Sequence, residues 1–408
     1  MTVIGLSYSP TVASIGLIAA YVAFVLSGEA VDRLKRAIWH PPVYWGLAFL
    51  GVVMVGFTYG PASWPERWVD LLKWRTVLWF IVMFAIFDDE RWKMRLLRAF
   101  LIGTGVGLVA SFGGVVGGIT LWKPPSELLR NHSTQSMIFS LSAVICLWMV
   151  LAGRCKGRER WWAILAAGLF AGNVVLVTHG RSGYVVFGLG IIVLLIRHAS
   201  PKQWIAATAV LPVSVGVVLL LSPGIQKRTL SQGVEERTLS QGIEEWEHAE
   251  ESAQLTSMGI RKVFYTHTVA IVTSHLLVGV GSGGFKKAYA EQIAGKYSPS
   301  DWRSEVANDP HNQYLAVAVQ HGLLGLTVFI AWIVAMMRTQ AGLPAYRGLA
   351  LAILCGWCVT SLLSSHFRTF AEGHLVMTFL GVLLAPAPPM QREPGSAAVS
   401  SSNFEETR

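Results

Sequence analysis

The sequence predicts an all-α polytopic membrane protein, and both its composition and its apolar runs support this. Of the 408 residues, 53% are hydrophobic and only 14% are charged, whereas soluble domains carry roughly 25% charged residues. Apolar runs of near-spanning length recur along the chain, and a spanning helix needs about 20 such residues. Because helices satisfy their own backbone in lipid, we expect about 11–12 transmembrane helices.

The expected spans follow from the apolar runs taken in order. They lie at about 10–28, 43–60, 74–88, 97–120, 135–152, 161–178, 183–197, 203–222, 312–337, 345–365 and 373–387. The connections between them are short except for one polar stretch, which begins at about Ser222 and ends at Asp309. Long loops in compact proteins are usually functional or disordered, so we expect the chemistry to lie here.

The distribution of lysine and arginine predicts how the chain is oriented. These residues crowd into alternate connections, such as 91–98 and 154–160, and the positive-inside rule places such connections in the cytoplasm. The long loop therefore faces outward. The net charge of +9 is spread over these short clusters and forms no basic face with interleaved aromatics, which argues against nucleic-acid binding.

Four regions follow from this layout. Residues 1–222 hold the N-terminal transmembrane helices, 223–310 the long outer loop, and 311–387 the C-terminal transmembrane helices. Residues 388–408 are polar, and we expect them to form a disordered cytoplasmic tail.

The long loop itself has two parts. Its first part contains a near-perfect duplication, 228–236 and 237–245, which indicates a tolerant surface segment. In its second part, apolar residues that include Ile260, Val263 and Phe264 recur at helical spacing. Arg261 lies on another face of the same pattern, so we expect it on an amphipathic helix.

Arg181 is a candidate site residue at the outward-facing boundary of the membrane. It lies in Thr178-His179-Gly180-Arg181-Ser182-Gly183, between two apolar runs. An arginine at membrane depth costs roughly 2.5–3.5 kcal/mol on insertion scales. Its planar guanidinium suits phosphate, to which it donates two parallel hydrogen bonds. Phosphate binding and snorkelling to lipid headgroups both explain such a residue.

His311 is the candidate catalytic residue. It follows Pro310 and opens an apolar helix at the water boundary. A neutral imidazole accepts a proton near neutral pH, although an interfacial histidine that only caps a span fits the spacing as well. No metal-ligand spacing accompanies His311, so we expect no metal site.

A glycine-rich string lies between these two motifs. Gly279-Val280-Gly281-Ser282-Gly283-Gly284 matches the G-x-G-x-x-G pattern, but a dinucleotide fingerprint needs a preceding strand and a βαβ unit. Here the string follows a predicted helix in an extracytoplasmic loop. We therefore expect a turn whose backbone amides approach an anion, with Gly281 among the substrate-binding residues.

Together these motifs resemble the O-antigen ligase and polymerase superfamily. The resemblance covers about 174–325 and rests on the Arg181 motif, the Arg261 helix, the glycine string and Asp309-Pro310-His311-Asn312-Gln313-Tyr314, followed by Gln320-His321-Gly322-Leu323-Leu324-Gly325. It implies a GT-C type glycosyltransferase of the bacterial inner membrane. Such an enzyme transfers a glycan from undecaprenyl diphosphate to lipid A–core oligosaccharide at the periplasmic face.

The resemblance also implies roles for individual residues. His311 would be the general base, Arg181 and Arg261 would bind the diphosphate, and Asn312 and Gly281 would contact the substrate. A lipid diphosphate is a good leaving group, so no nucleotide, metal or other cofactor is implied. The expected partners are the lipid-linked donor, the lipid acceptor and the surrounding membrane lipid.

Several activities remain open at this point. A ligase is favoured by one modest outer loop, whereas a polymerase often has two sizeable ones. A protein O-oligosaccharyltransferase would more often be longer, with an extracytoplasmic C-terminal region. A lipid-linked glycan transporter would carry charged residues along mid-membrane faces and paired broken helices, but the ionisable residues here gather at the outer boundary. We expect an O-antigen ligase.

Overall fold

The computed structural model describes residues 2–118, 123–178, 180–198, 257–340 and 344–386. Within these ranges the regular structure is helical throughout, which confirms the predicted all-α class, and no strand occurs. Four features discussed above lie outside the described residues: His179, the expected span at 203–222, the duplicated segment 228–245 and the tail 388–408.

Fifteen α-helices follow one another in the described part of the chain. A π-helical turn, Val174–Thr178, follows α9, and a 3₁₀ turn, Trp302–Ser304, precedes α13. The helices are α1 Thr2–Tyr8, α2 Pro10–Leu26, α3 Ala30–Ile38, α4 Pro41–Thr58, α5 Trp64–Lys73, α6 Arg75–Ile86, α7 Glu90–Gly117, α8 His132–Leu151, α9 Arg158–Asn173, α10 Arg181–His198, α11 Ser257–Ser274, α12 Phe285–Ile293, α13 Gln313–Arg338, α14 Pro344–Thr360 and α15 Phe370–Leu384.

Six of the described helices are long and apolar enough to cross a membrane. They are α4, α7, α8, α9 with its π turn, α10 and α13, and the pair α2 and α3, bent by 99°, makes a seventh if it forms one span. Three expected spans are shorter helices, α6 with 12 residues, α14 with 17 and α15 with 15. Neighbouring helices bury much of their surface, so these three do not have to present a bilayer-length apolar face to lipid.

The centre of the bundle is the pair α6 and α15, which pack along each other. The indole Nε1 of Trp79 donates to Thr378 Oγ1 at 2.7 Å. One turn earlier on α6, Thr76 Oγ1 donates to the carbonyl of Phe367 at 3.0 Å. These bonds fix the start of α6 against the connection 361–369, which leads into α15.

A second helix pair, α4 and α13, packs beside this centre. The rings of Phe49 and Trp332 stack with their centroids 6.1 Å apart and their planes 11° apart. In its N-terminal half α13 is broken at Gly322, whose φ of 64° and ψ of −167° are not helical. Glycine adopts such a conformation at little steric cost, and the break frees backbone groups that the helix would otherwise use.

The glycine string fills this break. The amides of Val280 and Gly281 donate to the carbonyls of Val319 and Gln320, both at 2.9 Å. In the other direction, the amide of Leu323 donates to the carbonyl of Leu276 at 2.8 Å. Backbone hydrogen bonds therefore join the segment 276–281 to α13 on both sides of Gly322.

The predicted amphipathic helix around Arg261 is confirmed as α11, Ser257–Ser274. With α12 it covers a small apolar cluster that is separate from the main core. The buried members of this cluster are Ile271, Val280, Phe285, Ala288, Tyr289, Ile293, Ala307 and Val319. Val280 and Val319, which are hydrogen-bonded to each other beside the break at Gly322, both belong to this cluster. Helices α11 and α12 therefore pack directly on the broken part of α13.

Candidate active site

His311 occupies a strained position at the mouth of α13. It is the only residue other than glycine with a positive φ among those described, at 54°. The amide of His311 donates to Asp309 Oδ1 at 2.8 Å, which closes a tight turn around the buried Pro310. Residues with side chains rarely adopt this conformation, and such strain persists where the surroundings enforce it, often at functional sites. The turn directs the exposed His311 outward from the bundle.

Helix α11 holds the imidazole from one side. The rings of His311 and Phe264 are stacked, with centroids 5.9 Å apart and planes 9° apart. The hydroxyl of Tyr265, the next residue of α11, lies 2.7 Å from the carbonyl of Leu362 and 3.2 Å from that of His311. Consecutive residues of α11 thus contact both the ring and the backbone of His311.

Arg261 lies on α11 one turn before Tyr265, and its side chain is half-buried. Burial raises the pKa of the Tyr265 hydroxyl, while a hydrogen bond from Asn312 and the charge of Arg261 oppose that rise. The structure therefore brings Arg261 and His311 to the same end of the bundle, with Phe264 and Tyr265 beside both of them.

A buried ion-pair network anchors the other side of the His311 turn. Asp309 Oδ1 also accepts from the hydroxyl of Ser365 at 2.7 Å, and Asp309 Oδ2 lies 3.8 Å from an Nη2 of Arg368. The same Nη2 donates to Asp70 Oδ1 of α5 at 2.9 Å. Arg368 therefore links the catalytic candidate to a helix more than two hundred residues earlier in the chain.

Asp70 keeps its charge within this network. It is only 3% exposed, and burial raises the pKa of its carboxyl. The nearby charges of Arg368 and Lys73 outweigh this effect, so the pKa lies below its usual value. If either member of this buried ion pair is removed, the other is left as an uncompensated charge inside the protein, which destabilises the fold.

Arg181 is the exposed first residue of α10, which follows the π-helical turn. Helix α10 lies between α8 and α14, and Val186 packs directly on Gly356 while His198 packs on Gly348. The two helices are therefore antiparallel, which places the Arg181 end of α10 beside the C-terminal end of α14. The next residues of that connection, Ser361 and Leu362, contact α13 and Tyr265. Arg181 thus lies at the same end of the bundle as His311.

The other two expected binding residues, Asn312 and Gly281, take part in hydrogen bonding and packing within the fold. Asn312 is the N-cap of α13, and its Oδ1 accepts from the amides of Tyr314 and Leu315 at 2.9 and 3.1 Å. The amide of Gly281 already donates to Gln320, and a Cβ at this position would lie 2.4 Å from the carbonyl oxygen of Tyr59. The expected anion contact of Gly281 is therefore wrong for its amide, since close backbone packing engages it.

A comparison with known protein families matches one part of the chain. Residues 166–330 match a family model described as O-antigen ligase. Over this stretch the chain is similar to the O-antigen ligase family. No curated protein matches it.

The matched region holds Arg181, Arg261 and His311. Asp70 and Arg368, which anchor the His311 turn, come from outside it. The sequence marks Arg368 only as one basic residue in an outer connection, and nothing around Asp70 distinguishes it from a surface carboxylate. Their ion pair joins elements that are distant in the chain, so one sequence carries no local signal for it.

His321 is not part of the same site. It is 2% exposed, and neither ring nitrogen has a hydrogen-bond partner among the described residues. Its ring lies edge-on to that of Phe49 at 6.4 Å, inside the family region but within the packed centre. No group of three His, Cys, Asp or Glu residues that could hold a metal ion occurs in the described ranges.

Proposed function

We propose that the chain is an O-antigen ligase of the bacterial inner membrane with its active site on the periplasmic face. It would transfer a glycan from undecaprenyl diphosphate to lipid A–core oligosaccharide. The observation that carries the proposal is the contact between His311 and α11. An exposed, strained histidine is stacked on Phe264 of the helix that also bears Arg261.

The proposed reaction is a single displacement at the anomeric carbon of the donor. The acceptor hydroxyl oxygen attacks this carbon, and its proton passes to the neutral imidazole of His311. The bond between the anomeric carbon and the diphosphate oxygen breaks, and the electron pair stays on the released undecaprenyl diphosphate. A positioned general base typically contributes 10²–10⁴-fold to such a rate.

Arg261 and Arg181 suit the second requirement, which is to stabilise charge on the leaving group. As the bond breaks, negative charge grows on the diphosphate, and fixed cationic donors stabilise this charge more strongly than that of the intact donor. Guanidinium groups donate two parallel hydrogen bonds to phosphate oxygens. Their position at the same end of the bundle as His311 supports this division of roles.

Lipopolysaccharide from a deletion strain tests the function. An O-antigen ligase predicts that the whole O-antigen ladder disappears from a gel and that the wild-type chain restores it. His311→Ala should fail to restore the ladder although the protein accumulates normally. Retention of a single capped unit would instead indicate a polymerase, and an unchanged ladder in the deletion strain would refute both activities.

A further inference from the structure

A basic pocket lies beside the His311 turn and has no part in the proposed displacement. It is a cavity of about 260 Å³ between α5, the start of α6 and the start of α15. Its polar wall is formed by Lys73, Arg75 and Arg368, together with His374. Its apolar wall is formed by Val69, Leu72 and Phe370.

Arg368 is the residue that marks this pocket as a binding site. It is only 6% exposed, and its Nη2 is engaged by Asp70 and Asp309. Its Nη1 is buried and has no hydrogen-bond partner among the described residues. An unsatisfied buried donor costs about 1–3 kcal/mol, more when charged, and such groups are rare in native structures. Arg368 also lines the pocket, so an anion held there would lie beside a guanidinium that still has an unused donor.

The charges around the pocket favour an anion. Three cationic side chains line it. Of the neighbouring carboxylates, Asp70 pairs with both Arg368 and Lys73, and Asp309 lies beside Arg368, so three positive charges face two negative ones. The pKa of Lys73 is lowered by burial and, next, by the charge of Arg368. The guanidinium of Arg75 lies over the ring of Phe370 at 5.2 Å and forms no ion pair among the described residues. An anion would relieve the repulsion between these cations.

Exposed apolar side chains surround the opening of the pocket, and they indicate a lipid as the source of the anion. Val69 and Leu72 are 59% and 50% exposed on α5, on the same short helix as the exposed Trp64 and Trp68. Tryptophan and aliphatic side chains on one face of an interfacial helix are typical of the membrane boundary. A headgroup phosphate held by the basic wall would leave its chains beside this apolar face.

We propose that this pocket binds the phosphate group of a membrane lipid in the outer leaflet. The inference does not depend on the proposed transfer reaction, because it rests on Arg368 and on the lining of the pocket. It assigns Lys73, Arg75 and Arg368 to phosphate binding and Val69 and Leu72 to contact with the lipid chains. Through Asp309, an occupied pocket would also brace the turn that carries His311.

Native mass spectrometry of the full chain in detergent tests the proposal. The probes are dioleoylphosphatidic acid, dioleoylglycerol with the same chains but no phosphate, and inorganic phosphate. The parent should bind one copy of phosphatidic acid tightly and the other two probes weakly. Arg75→Gln and Lys73→Gln should each weaken phosphatidic acid binding about tenfold, the size expected for one lost hydrogen bond to a charged group.

Matched variants make the result decisive. Lys287→Gln, an exposed lysine of α12 outside the pocket, should bind phosphatidic acid like the parent, and so should Arg181→Ala. Arg75 is exposed and outside any described ion pair, so its variant should keep the parent's elution profile and melting temperature. Parent-like binding by both pocket variants, or equal binding of dioleoylglycerol, would overturn the site.

Two further outcomes would refute parts of the proposal. If inorganic phosphate binds as tightly as phosphatidic acid and shows the same sensitivity to Arg75→Gln, the lipid source is wrong. If Arg181→Ala weakens phosphatidic acid binding as much as Arg75→Gln does, the probe occupies the proposed donor site and the separate pocket is refuted.

Discussion

The imidazole of His311 lies parallel to the ring of Phe264, with the two centroids 5.9 Å apart. Phe264 follows Arg261 by three residues on α11, so one helix sets the plane of the proposed base and carries a proposed diphosphate ligand. Aromatic pairs contribute about 0.5–1.5 kcal/mol beyond their buried area. A displacement of α11 would therefore move base and ligand together.

Phe264→Leu should lower the rate of glycan transfer about fivefold, because the loss of about 1 kcal/mol of ring stacking leaves His311 in several orientations. The KM for the lipid-linked donor should stay close to that of the parent, since no phosphate ligand is changed. Phe264→Tyr, which keeps the ring, should retain the parent rate. Steady-state kinetics in nanodiscs measure both quantities, and a parent-like rate for the leucine variant would refute the positioning role.

Arg181→Lys and Arg261→Lys should each weaken donor binding by roughly 10–100-fold, the range expected for lost hydrogen bonds between charged groups. Lysine keeps the positive charge but lacks the planar fork that donates two parallel bonds to a phosphate. Binding of the lipid diphosphate donor in nanodiscs gives the measurement.

The controls for the arginines are Arg228→Ala and Arg237→Ala in the duplicated segment, which should bind donor like the parent. The opposite pattern, with parent-like binding by Arg181→Ala and Arg261→Ala but weak binding by Arg228→Ala, would move the diphosphate site to the duplicated segment.

Asp70→Asn should lower the free energy of unfolding at neutral pH by about 3–5 kcal/mol, because it leaves the buried Arg368 without its partner. The folded-state pKa of Asp70 is depressed. Its contribution is therefore complete above the ordinary carboxyl pKa and is lost as the pH falls through the lower folded-state value.

Thermal unfolding in detergent at a series of pH values checks the role of Asp70. The parent should lose stability in acid more steeply than Asp70→Asn. Asp32→Asn, at an exposed position of α3, should follow the parent at every pH. Parallel curves for the parent and Asp70→Asn would contradict the assigned charge state.

Gly281→Ala should destabilise the fold more than Gly295→Ala. Both glycines have a positive φ, 82° and 71°, so both substitutions carry backbone strain on the order of 1 kcal/mol. Only at Gly281 would the new Cβ meet backbone, 2.4 Å from the carbonyl oxygen of Tyr59, whereas the space at Gly295 is open. Melting temperatures measured side by side decide the matter, and equal shifts would contradict the close packing.

The sequence predicts the helical class and the helix that carries Arg261, because both depend on apolar spacing along one segment. Bundle geometry explains the difference in span lengths. The expected spans at 74–88 and 373–387 became the short helices α6 and α15 because they bury each other, and hydropathy alone does not separate a buried core helix from a lipid-facing one.

The sequence singles out Arg181 and His311, which stand at the ends of apolar runs, and Arg261, which stands on a predicted amphipathic helix. It does not single out the residues that hold them. Phe264 reads as one apolar position of α11, and its stacking on His311 depends on a tertiary contact across 47 positions of sequence. Gly281 shows the reverse error. A glycine string at this spacing fits a turn whose amides bind an anion, and it fits close backbone packing equally well. The break at Gly322 frees the carbonyls of Val319 and Gln320, and these accept from the amides of Val280 and Gly281.

The link from Asp309 through Arg368 to Asp70 has a practical meaning for protein engineering. The stretch that matches the family, 166–330, does not form its site alone, because the turn that carries His311 is held by side chains from both flanking parts of the chain. A chimera that grafts this stretch into a relative should work only if α5 and the connection 361–369 travel with it. Donor specificity in such hybrids would then be exchanged as a three-part unit.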